Sequence, residues 1–209
     1  MRSFAIISFY SVVIYFVNFL LIDIEDLVLG QLSAQKNFDI PESVVLEAIE
    51  SFKYWNKFSI IFTFLLFSLK GLTIALILYV GLFFEDLHKG FHLANIFLIA
   101  VYAECVLVIA GLVKIIVVSF GDFSYDFLLR YYPLSLLNLV DYSKIDGLFL
   151  YPLQLVNVFE LAYFFLLVYF LKEEIEISFG KSFKIVMSSY GAALICWVVF
   201  VMFFTLNFS

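Results

Sequence analysis

Lys70, Glu104 and Glu160 are charged residues near the middle of three different long apolar runs. A charge at the bilayer centre costs roughly 2.5–3.5 kcal/mol on insertion scales, so such residues pair with one another or line a functional path. One lysine against two glutamates leaves a spare negative charge, which a protonated carboxyl, Lys114, water or a cation would balance. Gln154 and Asn157 precede Glu160 at steps of three, so on a continuous helix the three residues share one face. They would extend a hydrated track from Glu160 toward the membrane surface. Two roles follow for this set. The preferred one is a buried ion cluster that locks helix register; a pair stripped of water adds little net stability, but losing one partner strands a charge. The other is a proton or ion relay, or a pocket for a polar head group.

Other chemistry is sparse. Glu85, His88 and His92 have a metal-like spacing if helical, but Gly90 interrupts them and the chain has only 2 His, so an interfacial loop is expected and no metal. No His-Glu-x-x-His, Gly-x-Ser-x-Gly or Walker-type glycine loop occurs. No Asp falls mid-span for an intramembrane aspartyl dyad. Glu173-Glu174 resembles the paired glutamates of prenyl-type membrane proteases, but Ser178 stands near where their Arg should follow. No catalytic residue and no cofactor is expected.

Composition fixes the setting of these groups. The 209 residues are 65% hydrophobic and 14% charged, with a mean hydropathy of +1.08, against about 45–50% and 25% in soluble domains. A separate soluble catalytic domain has no stretch to occupy. The net charge of −6 argues against a nucleic-acid partner and against a polybasic lipid-binding surface. Cys105 and Cys196 both lie in apolar runs and are read as small core residues.

The elements that must position the charges are apolar helices. Spans are expected at about 4–22, 58–84, 93–120, 148–171 and 185–204. The first is read as a retained signal anchor, since its apolar core exceeds the usual length for a cleaved leader. Asp39-Ile40-Pro41-Glu42 starts an amphipathic helix over 40–57, with Val45, Ala48, Ile49, Phe52 and Trp55 on its apolar side and its end at the headgroup level. It is read as a surface helix leading into the next span, with a partner-docking face as the sharper possibility. Small residues mark close helix contacts: Gly71 with Ala75, Ala103 and Ala110 with Gly111, and Ser188, Ala192 and Cys196. The connection 121–146 carries an Asp126/Arg130 pair and is broken by Pro133; it reads as two interfacial helices, or alternatively as a re-entrant segment. A hydrated loop is expected from Lys172 to Lys184. The fold class is therefore all-α, a polytopic membrane bundle of five transmembrane helices with interfacial amphipathic helices. Lys and Arg outside the spans divide evenly, with Arg2, Lys89, Lys172, Lys181 and Lys184 on the N-terminal side. Lys36, Lys53, Lys57, Arg130 and Lys144 lie on the other side. The tight second and fourth loops tip the balance to a cytoplasmic N-terminus.

Five spans, that orientation and the stretch 156–204 together resemble Yip1-like membrane proteins. The closest parts are Asn157-Val158-Phe159-Glu160 and the charged turn Ser178-Phe179-Gly180-Lys181-Ser182-Phe183-Lys184 before the last helix. The acidic Tyr-Gly-Pro motif of the trafficking members is absent, Phe120-Gly121-Asp122-Phe123 not reproducing it. What the resemblance implies is an integral membrane domain acting through partners. The expected function is a non-enzymatic adaptor or accessory subunit of a membrane assembly, homo- or hetero-oligomeric, in contact with the bilayer and other membrane proteins of a bacterial inner membrane. The alternative is a transporter or channel component built on Lys70, Glu104, Glu160, Asn157, Gln154 and Lys114.

Overall fold

The computed structural model describes residues 2–22, 42–87, 90–120, 131–141 and 144–208. Helices carry almost all of it: α1 (Arg2–Leu21), α2 (Glu42–Asn56), α3 (Ser59–Phe84), α4 (Leu93–Ala103), α5 (Cys105–Ser119), α6 (Gly147–Leu155), α7 (Val158–Ile175), α8 (Phe179–Val186) and α9 (Ala192–Phe208). A 3₁₀ turn spans Leu136–Leu139 and a π-helical turn, Met187–Gly191, joins α8 to α9. Among the described residues, four helical stretches are long and apolar enough to cross a membrane: Arg2–Leu21, Ser59–Phe84, Leu93–Ser119 and Phe179–Asn207. With this composition, the chain is a membrane-embedded helical protein.

The core is shared by α3, α4, α7 and the α8–π segment. Ile74, Leu78 and Leu82 of α3 meet Ile96, Ile99 and Ala100 of α4, while Leu167 and Leu171 of α7 and Ile185 of α8 close the cluster. Small residues set the approach distances. A Cβ on Gly71 would stand 3.1 Å from the Phe97 ring, and one on Gly81 would stand 2.8 Å from Ser189 Cβ. α1 lies on the outside of the bundle against α3, α4 and α5, with only Ile7 and Ser11 buried. The buried Ser182 hydroxyl donates to Val168 O (2.7 Å), tying α8 to α7, and Lys184 donates to Glu85 (2.8 Å), tying α8 to the end of α3.

Several expectations are corrected. The stretch 148–171 is not one helix. Pro152 removes a backbone donor inside α6, and Val156 and Asn157 are extended. Their hydrogen bonds go to the preceding connection: Leu136 N donates to Val156 O (3.0 Å) and Val158 N to Leu134 O (3.3 Å), around an antiparallel bridge of Ser135 with Asn157. The described part of 121–146 is accordingly not a pair of surface helices. Pro133, Ser135 and Leu137 are buried, and the segment is pinned into the gap between α6 and α7; the Asp126/Arg130 pair lies outside the described residues.

The charged stretch 172–184 is mostly helical rather than a loop. α7 runs on to Ile175, Glu176 ends it in the left-handed region (φ 54°), and Ser178 caps α8. The expected stripe Ser188, Ala192 and Cys196 is exposed. The π turn widens the helix there and rotates the residues beyond it: Tyr190 is buried and Ala193 and Leu194 are half-buried, and they line a cleft together with the largely exposed Trp197. Cys196 therefore points out of the bundle, and Cys105 is half-buried. Ala103 and Ala110 are buried, but Gly111 has nothing within 4 Å of a Cβ built on it. The 40–57 helix is observed as Glu42–Asn56; its acidic start, Asp39 to Pro41, lies outside the described residues.

Candidate functional site

Lys70 and Glu104 meet. Lys70 projects from α3 beside Gly71, where the absent side chain lets α4 come close. Glu104 sits at a local tightening between α4 and α5. The Lys70 ammonium hydrogen-bonds to Glu104 Oε2 at 3.1 Å and stands 3.1 Å from Oε1. The burial is one-sided: the glutamate side chain is 2% exposed and the lysine 45%. Lys70 Nζ also lies 5.4 Å from the centroid of the ring of Tyr163, which is fully buried. Such an arrangement holds a buried carboxylate by one ammonium that still faces open space.

Glu160 belongs to a different local structure. It is not mid-helix but in the first turn of α7, where Asn157 staples the break. Asn157 Oδ1 accepts from Glu160 N (2.7 Å), capping α7, while its Nδ2 donates to Leu155 O (2.9 Å) and Gln154 O (3.2 Å) at the end of α6. One side chain thus satisfies groups at both helix ends that would otherwise lack partners. The Glu160 carboxylate accepts a short hydrogen bond from the Tyr190 hydroxyl. Tyr190 in turn packs edge-on against Tyr163, with ring centroids 5.6 Å apart. The two acidic groups are consequently linked through aromatic rings, Glu104–Lys70–Tyr163–Tyr190–Glu160, and do not form a single ion cluster.

These groups border a cleft of about 910 Å³ between α3, α5, the α6–α7 break and α9. Lys70, Lys114, Gln154, Asn157, Glu160 and Tyr190 supply its polar lining. Lys114 of α5 has no ionic partner among the described residues. Of the six residues expected at a site, five line this cleft, and Glu104 stands behind Lys70. Gln154, Asn157 and Glu160 reach it from two helix ends, not from one helical face. The aromatic members were not foreseen: Tyr132, Tyr151 and Trp197 also line the cleft, and Trp197 Nε1 donates to the Tyr151 hydroxyl (2.7 Å). Tyr163, three residues after Glu160, was the one with a spacing cue. Glu85 is engaged by Lys184 and His88 lies outside the described residues; among those described, no group of three metal-binding side chains gathers.

Comparison of the chain with protein-family models, curated proteins and solved structures returns no match.

Proposed function

We propose that this protein binds a small amphiphile in the cleft between α3 and α9, within the membrane, and acts as a carrier or channel component. The observation that carries the reading is the α6–α7 break opening onto a cleft of about 910 Å³ that holds Lys70, Lys114 and Glu160. Irregular backbone at membrane depth persists only where protein buries it or a cavity solvates it. Discontinuous helices whose ends face a polar site are a recurring device of transporters. The volume falls within the roughly 300–1,000 Å³ of ordinary ligand sites. On this reading α6 and α7 together make the fourth of five crossings, α2 lies along the interface, and the N-terminus is cytoplasmic.

Native mass spectrometry of protein released from lipid nanodiscs tests it. Ala193 is half-buried on the cleft wall, so Ala193→Trp fills the space without entering the core. Wild type should retain an amphiphile that the filled variant loses. Equal retention by both would remove the cleft from the account.

A second reading, an adaptor of the Yip1-like kind, has α2 in its favour. That helix leaves Val44, Leu46, Phe52, Tyr54 and Trp55 exposed, more apolar surface than a helix in water keeps uncovered. Recovery of the protein alone after purification in mild detergent would count against it.

A further inference from the structure

The charges of the cleft describe its occupant. Glu104 neutralises Lys70, which leaves Lys114 and Glu160 as one cation and one anion without ionic partners among the described residues. They stand on different elements, α5 and α7, and both face the same space. A simple cation would be opposed by Lys114 and a simple anion by Glu160. The surroundings of Glu160 are aromatic. Tyr190 donates to its carboxylate, Tyr132 lines the same cleft, and Tyr151 holds the Trp197 indole by a hydrogen bond. Those hydrogen bonds orient the Tyr190, Tyr151 and Trp197 rings at the cleft. An ammonium is attracted both to a carboxylate and to such rings. The remaining wall is aliphatic, formed by Leu66, Leu69, Ile74, Ile77, Leu107 and Leu194.

We infer that the cleft takes a zwitterionic amphiphile, its ammonium group at Glu160 and the neighbouring aromatic rings, its anionic group at Lys114, and its chain along the aliphatic wall. This rests on the cleft being a binding site and adds which head group it selects. A phospholipid and a soluble phospho-ammonium compound share that chemistry.

The test uses the full chain in a neutral maltoside detergent, with Trp55→Phe so that Trp197, one of the 2 tryptophans, reports alone. Short-chain phosphatidylcholine, short-chain phosphatidylglycerol and phosphocholine are titrated in turn. Phosphatidylcholine should change Trp197 emission saturably and more tightly than phosphatidylglycerol, and Glu160→Gln should weaken it about tenfold. Phosphocholine binding as tightly as the lipid supports the head-group assignment and overturns the placing of a chain along the aliphatic wall; binding by the lipid alone supports both. If Glu160→Gln misfolds, Tyr132→Leu, on the connection outside the long helices, should give a loss in the same direction. Phosphatidylglycerol binding as tightly as phosphatidylcholine, or an unchanged affinity in both variants, overturns the ammonium assignment and leaves the cleft reading standing. No saturable response to any of the three overturns both.

Discussion

Replacing Lys70 with methionine isolates the ion pair at the head of the cleft. Methionine keeps much of the aliphatic stem and removes only the ammonium that stands 3.1 Å from both Glu104 oxygens. Two unit charges about 4 Å apart interact by about 4 kcal/mol at an effective dielectric of 20, the value suited to partly buried pairs. Stranding a buried charge by deleting its partner typically costs about 3–5 kcal/mol. Glu104 is 2% exposed, which argues for the full penalty, but Lys70 is 45% exposed and is partly screened. The expected loss for Lys70→Met is therefore about 3 kcal/mol, the low end of that range. Adding Glu104→Gln removes the stranded charge, so the double variant should recover most of the loss, with a coupling of about 2 kcal/mol. Reversible unfolding of the purified protein in mixed micelles, followed by tryptophan fluorescence, measures all four members of the cycle. A Lys70→Met loss below about 0.5 kcal/mol, or additive single effects, would refute the pairing argument.

Three further outcomes follow from the packing. Gly81→Ala places a methyl 2.8 Å from Ser189 Cβ and should destabilise by about 1–3 kcal/mol; Ser189→Gly should rescue it in the same unfolding assay. Asn157→Asp keeps the cap on α7 but loses the donors to Leu155 and Gln154, whereas Asn157→Ala loses both. Alanine should cost about 1–2 kcal/mol and aspartate less, and equal losses would show that the cap contributes nothing. The hydrogen bond from Lys184, then its charge, holds the Glu85 carboxyl below its ordinary pKa. Because the folded value is the lower one, this contribution is complete above the ordinary carboxylate range and is lost as pH falls through the folded value. Thermal unfolding of wild type should therefore be more acid-sensitive below about pH 4 than that of Lys184→Met; the effect is small, since the pair is exposed.

The long elements were legible because hydropathy over about 20 residues is a strong signal. The runs starting near Phe4, Phe58 and Leu93 end within a few residues of α1, α3 and α5. Lys70 and Glu104 were readable for a related reason: a charge in such a run needs a partner, and the two face each other. The break before Val158 was not read, because Leu153, Leu155, Val156 and Val158 keep the apolar character unbroken across it. A local cue was nevertheless present, since Asn157 followed three residues later by Glu160 is a helix-start pattern and Pro152 weakens the preceding turn. The π turn leaves no such trace: Ser188, Ser189 and Gly191 look like a small-residue face, and one widened turn is enough to leave Cys196 exposed while Tyr190, Ala193 and Leu194 turn to the cleft. The cleft's tyrosines were hidden by composition. In a chain with 13 Tyr and 28 Phe, aromatic residues read as belts and lipid-facing surface, and only tertiary structure separates Tyr132, Tyr151 and Tyr190 from the rest.

The most direct measurement of the central claim is an electron cryo-microscopy structure of the full chain in lipid nanodiscs, enlarged by a bound antibody fragment. The account predicts an open cleft between α3 and α9 containing an elongated density, its head within contact of Glu160 and Tyr190. A closed cleft, with Trp197 packed against Leu69 and a continuous helix through Asn157, would contradict it.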